Sequence, residues 1–162
     1  MTTHTNFDGL RVNYNLKLAE TNPTGVSCNN LEKGMVVEID TSDFRDLTTA
    51  GNTSGRDAYV PAGSYITRAF LMVEEAFTSA GSTTLDIGFA EDDGTVIDAD
   101  GVDAAIAKTV IDAVGDVVDC DGALVNGVVT VGTANAFPYI TVGTGPYTAG
   151  KAKLVIAYVT PQ

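Results

Sequence analysis

The chain has 162 residues, the size of one domain with a single core, and folding such a chain buries roughly two-thirds of its unfolded surface. Its formal charge of −12, with no Lys/Arg cluster, argues against a nucleic-acid backbone or an anionic membrane surface as partner. No apolar run approaches the ~20 residues of a membrane-spanning helix, and residues 1–9 lack the charged and then apolar segments of an export signal.

Residues 10–18 alternate strictly: Leu10, Val12, Tyr14, Leu16 and Leu18 fall on one side of an extended chain, and Arg11, Asn13, Asn15 and Lys17 on the other. This is the period-2 signature of a strand with one wet face. A polar, turn-rich stretch over 20–30 follows and reads as a linker. The expected organisation is an amino-terminal arm and linker over 1–30, then a β-domain over 31–162.

Residues 35–40 alternate again, and 41–57, rich in Thr, Ser, Asp, Gly and Asn, read as a long loop. Val60-Pro61-Ala62-Gly63 predicts a type I turn with Pro61 second and Gly63 fourth, and the β-formers of 65–77 predict a long strand. Gly81-Ser82 is a turn signal, from which a hairpin into 84–89 is expected, with Leu85, Ile87 and Phe89 on one face. Val102, Ile106 and Val110 recur every four residues, so a short helix is predicted over 102–114, capped by Asp100 or Asp103 and ended by Gly115.

The last third is rich in Val, Thr and Gly with repeated breakers, as in short strands joined by tight turns. In its final strand, 151–159, Ala152, Leu154, Ile156 and Tyr158 lie on one side, and Val155, Ala157 and Val159 make the end of the other side apolar too. A central sandwich strand or a subunit contact explains such a pattern. Many short strands with one inserted helix predict an all-β fold, a jelly-roll-like antiparallel sandwich.

Few residues offer chemistry. His4, the single histidine, has no cysteine or carboxylate at ligand spacing, so a zinc site or Ser-His-Asp triad lacks material. Cys28 and Cys120 are too far apart in sequence to form a metal cluster or a disulfide framework, and two free thiols made in a reducing cytoplasm are expected.

Between residues 86 and 121 eleven acids face a single Lys108. Asp98-Ala99-Asp100-Gly101 and Asp119-Cys120-Asp121-Gly122 each match part of a calcium loop, which makes Asp98, Asp100, Asp119 and Asp121 weak metal candidates. Val96 or Val117 falls where the first ligand of an EF-hand belongs, and the closing Glu is missing, so that motif is excluded. The alternative is a solvated acidic face, and no metal or cofactor is assigned. No catalytic residue is assigned either, because the acids cluster in one segment and the chain has no tryptophan platform for a sugar. The Gly-rich 143–146 stretch does not match phosphate-loop spacing.

Val60-Pro61-Ala62-Gly63-Ser64-Tyr65-Ile66-Thr67, Thr84-Leu85-Asp86-Ile87-Gly88 and Tyr147-Thr148-Ala149-Gly150-Lys151-Ala152-Lys153-Leu154-Val155-Ile156 resemble segments of the capsid decoration, or cement, proteins of tailed bacteriophages. The resemblance spans about 58–160. It implies a β-sandwich that assembles as a homo-oligomer, with a trimer favoured, on the virion exterior against the major capsid protein. It brings no catalytic residue.

Against that background the amphipathic strand of 10–18 is the expected capsid or subunit contact, through Leu10, Val12, Tyr14, Leu16 and Leu18. Pairing within its own domain is the alternative for that strand. The competing function is a carbohydrate- or receptor-binding fibre module, which the absence of tryptophan disfavours and Tyr139 and Tyr147 leave open.

Overall fold

The computed structural model describes residues 2–5, 11–14, 32–41, 58–143 and 145–161. Strand β1 (Thr2–Thr5) pairs antiparallel with β2 (Arg11–Tyr14) as a two-stranded sheet. The predicted alternation of 10–18 thus yields a strand over its first half, and Leu10, Leu16, Leu18, the 20–30 linker and 42–57 lie outside the described residues.

The other strands are β3 (Lys33–Asp40), β4 (Tyr65–Ser79), β5 (Thr84–Ala90), β6 (Val96–Ala107), β7 (Val117–Asp119), β8 (Phe137–Val142) and β9 (Tyr147–Val159). They form two antiparallel sheets, one ordered β3-β9-β4-β7 and the other β6-β5-β8. This is the interleaved order of a jelly-roll-like sandwich. An isolated bridge between Val60 and Ala136 extends the smaller sheet beside β8.

Alternation places the core. Val37, Leu154 and Leu71 stand in one cross-strand row of the larger sheet, and Leu85, Ile87 and Phe89 face them from the smaller one. Leu71, Leu154, Leu85, Ile87 and Phe89 are wholly buried. Strand β9 lies between β3 and β4, an interior position that is one of the two explanations its apolar pattern left open.

Three expectations need correction. Residues 102–114 are not an α-helix: Val102 and Ile106 belong to β6, and only a single 3-10 turn, Lys108–Val110, follows. A spacing of four is one helical turn, but it is also two strand repeats, and β-branched residues suit the second. Asp100 and Asp103 therefore sit in β6 and cap nothing, Val110 is exposed, and Gly115 (φ +92°) closes a turn.

The segment after β4 is not a hairpin. Strands β4 and β5 lie in different sheets, so residues 80–83 carry the chain across the sandwich, where the Lys108 amide donates to the Thr83 carbonyl (3.1 Å) and the Lys108 ammonium to the Ser79 carbonyl (3.2 Å). The turn before β4 is displaced by one residue: the Ser64 amide donates to the Pro61 carbonyl (3.1 Å), and Gly63 takes the third position with φ +71°. A positive φ there is the type II geometry that glycine supplies.

Candidate interaction surface

The outer face of a sandwich sheet is ordinarily polar, because alternate residues of each strand meet water. In the smaller sheet Gly88, opposite Tyr139, is buried, and Asp86, opposite Thr141, follows this rule. The larger sheet does not. Its register aligns Val36, Val155 and Phe70 in one outward row, and the next row carries Met72 and Val117 beside Lys153.

Val36 is 57% exposed, Met72 43% and Val117 60%, while Phe70, Val155, Ala157 and Val159 are half-buried by their neighbours. The result is a continuous apolar strip on a face that no other described strand covers. Charge closes one end of it, where Lys151 pairs with Glu38 and Lys153 with Glu74. The ion pair with Glu38 holds the Lys151 ammonium above its ordinary pKa.

A cleft lies beside β3, lined by Gly34, Val36, Ala58, Tyr59, Pro61 and Tyr158. Among the described residues β3 ends the larger sheet, and an edge strand is a template for strand addition.

The acidic segment is divided by the fold. Asp98 and Asp100 lie in β6, the Asp100 amide donating to Asp98 Oδ1 (3.4 Å), whereas Asp119 ends β7 and Asp121 follows it. Burial, and then the Asp100 carboxyl, raise the Asp98 pKa. No group of three or more His, Cys, Asp or Glu side chains with metal-holding geometry occurs among the described residues.

What the structure brings together instead is Asp103, Cys120 and Asp121. Asp103 is 7% exposed, and burial raises its pKa, opposed by the Ala104 amide and reinforced by Asp121. Burial and the neighbouring Asp103 carboxylate push the Cys120 thiol up to about 12, so it is inert as a nucleophile.

Asp103 is protonated more readily in the folded protein than in the unfolded chain. Its contribution to stability is therefore fully present below the ordinary carboxylate pKa and is lost as pH rises through the raised folded value. Asp103→Asn keeps a carbonyl acceptor and removes the charge. The variant is expected to melt above the native protein at pH 7 and level with it at pH 3, read by scanning calorimetry.

The two tyrosines that left a sugar site open are poorly placed for it. Tyr147 is buried edge-on against Phe77, with its hydroxyl donating to the Thr83 carbonyl (3.2 Å), and Tyr139 is half-buried in β8. His4 lies in β1 opposite Val12.

No family model matches the chain, and no curated protein matches it. Solved structures do. A chain of the capsid asymmetric unit of cyanophage Pam1 superimposes with a TM-score of 0.57 at 19% identity, over 91% of this chain and 98% of that one. The fold is one found in phage capsids. A chain of the Ralstonia phage GP4 capsid gives 0.55 at 19% identity over 84% and 88%, and one of the acidic stable capsid of Helicobacter pylori bacteriophage KHP30 gives 0.52 at 16% over 82% and 90%. The likeness to these capsid chains covers nearly their whole length and agrees with the resemblance read from residues 58–160.

Proposed function

We propose that this chain is a structural protein of a tailed-bacteriophage virion that binds the outer surface of the assembled capsid and stabilises it, without catalysis. The observation that carries the reading is the fold match with chains from three phage capsids, over 82–91% of this chain. An apolar sheet face that no other described strand covers supports it, since exposed apolar patches mark contact surfaces.

Cementing requires no chemistry. A protein that contacts several capsid subunits only in their assembled arrangement stabilises that arrangement by mass action, and linked contacts multiply the effect. The partner is the major capsid protein, and the decorating unit is a homo-oligomer, with a trimer favoured. Residues 1–30 act as an arm and linker and 31–162 as the sandwich. The arm engages its neighbours through Leu10, Val12, Tyr14, Leu16 and Leu18. The protein is made in the host cytoplasm and resides on the virion exterior.

The test is cosedimentation of the purified protein with capsids stripped of decoration, together with its mass by light scattering. Saturable binding at a fixed ratio to the major capsid protein, by an oligomer, is the expected result. Absence of binding at any concentration would overturn the reading and favour a fibre module.

A further inference from the structure

Residues 120–124 tie the two sheets together. The Cys120 amide donates to the Ala69 carbonyl of β4 (3.0 Å), and the Gly122 and Leu124 amides donate to the Val102 and Gly101 carbonyls of β6 (2.8 Å each). Cys120 and Leu124 are buried by this crossing and belong to the core.

A carboxyl stands beneath the tie. Asp103 of β6 is paired with Ile87 of β5, and directly opposed residues share a face of a sheet, so Asp103 takes the core side that the buried Ile87 takes. Its carboxylate accepts from the Ala104 amide and the Cys120 thiol. The charged groups acting on it are both acids, Asp121 from the tie itself and Asp86 from β5, and Asp119 and Asp121 act likewise on Cys120. Asp98 and Asp100, further back on β6, are bonded to each other. Lys108, just past the end of β6, gives its ammonium to the Ser79 carbonyl. A carboxylate on the core side of a sheet, with like charges beside it, is costly when ionised and tolerated when neutral.

We propose that Asp103 is a proton-operated latch: neutral, it lets residues 120–124 close on β6, and ionised, it is repelled by Asp121 and Asp86 and the segment opens. The strain falls on the tie and not on the whole fold, because β6 is held to β5 by a ladder running from residue 84 to residue 107, whereas 120–124 hold it by two amide bonds. Below the ordinary carboxylate pKa of 3.8 the closed and open forms are both protonated, and the latch is fully shut. Above it the open form has lost a proton that the closed form keeps. Opening therefore gains up to about tenfold per pH unit until the raised pKa of the closed form is passed, and then levels. The two sheets are thus tied most tightly in acid.

Hydrogen exchange of the full chain from pH 4 to pH 8, read by mass spectrometry and scaled for the intrinsic rate at each pH, follows the latch through the Cys120, Gly122 and Leu124 amides. Peptides of β9 in the same digest are the reference. Protection over 120–124 is expected to fall relative to β9 as pH rises, and then to level. Asp103→Asn mimics the neutral carboxyl and is expected to stay at the acid level throughout. Asp121→Asn, at an exposed position, removes one opposing charge and is expected to shrink the fall. Protection that is level with pH in the native chain, or that falls in Asp103→Asn as it does in the native chain, overturns the latch. Should Asp103→Asn not fold, the native profile and Asp121→Asn decide, and a fall undiminished in Asp121→Asn overturns it. The measurement needs no capsid, so its outcome is separate from that of cosedimentation.

Discussion

Replacing Gly88 with alanine is expected to leave no folded protein. Gly88 lies mid-way along β5, and a Cβ there would stand 1.9 Å from the Asp98 carbonyl oxygen and 2.4 Å from the Ala99 carbonyl carbon. Both are backbone atoms, so no side chain can swing aside to relieve the overlap. They belong to the stretch where β6 departs from regular pairing: Ile87 faces Asp103, but Phe89, two residues on, faces Asp98. The extra residues of β6 fold over Gly88. On their other side Gly122 holds them, its amide donating to the Val102 carbonyl (2.8 Å) and its own Cβ position 2.5 Å from the Gly101 carbonyl oxygen.

Relieving the clash means separating β5 from β6 in the middle of the smaller sheet, which places the cost beyond the ~4–5 kcal/mol that marks an exceptional substitution. A domain of this size is stable by about 5–15 kcal/mol in total. Gly34→Ala is the control, because nothing lies within 4 Å of a Cβ at that exposed position of β3. Soluble yield and circular dichroism should show Gly34→Ala folded and Gly88→Ala unfolded or insoluble. A Gly88→Ala protein with a native melting curve would refute the account of β6 given above.

Much of this fold is legible residue by residue. Met35, Val37 and Ile39, then Leu85, Ile87 and Phe89, then Ala152, Leu154, Ile156 and Tyr158 alternate in sequence, and all ten are buried. Where one face of a strand is covered and the other wet, period-2 alternation fixes the side each residue takes. The sequence is silent where long-range backbone contacts decide. Val102 and Ile106 satisfy a helical and an extended spacing equally, and what selects the strand is the clasp of Gly88 and Gly122 on residues distant in sequence. Ala105 keeps a left-handed φ of +53° in that strand because its amide donates to Asp86 Oδ1 at 2.6 Å, an anchor supplied from β5.

The crossing at 80–83 and a hairpin share the same local turn signal, Gly81-Ser82. The difference lies in which strands flank β5, and those are β6 and β8. The apolar outer strip was half visible in Val155, Ala157 and Val159. Phe70, Met72, Val117 and Val36 join it only once the register is known, since they come from three other strands.

The second large effect is expected at Phe77. This side chain is fully buried near the end of β4, packs edge-on against Tyr147 with ring centroids 5.3 Å apart, and covers the bare backbone of Gly150. Gly150 has φ +144°, and a Cβ on it would meet the Phe77 ring at 2.4 Å, so the ring occupies the space that a side chain in β9 would otherwise take. Phe77→Ala therefore removes the cover of a glycine in the central strand as well as core volume. Phenylalanine truncations in cores cost about 3–5 kcal/mol, and the edge-on pair adds roughly 0.5–1.5 kcal/mol, which places Phe77→Ala near the top of that range. Tyr147→Phe keeps the ring contact and loses only the hydroxyl bond to the Thr83 carbonyl, a loss of about 1 kcal/mol. Urea denaturation of the two variants should rank them in that order. If Phe77→Ala cost no more than Tyr147→Phe, ring packing would not be what joins the end of β4 to β9.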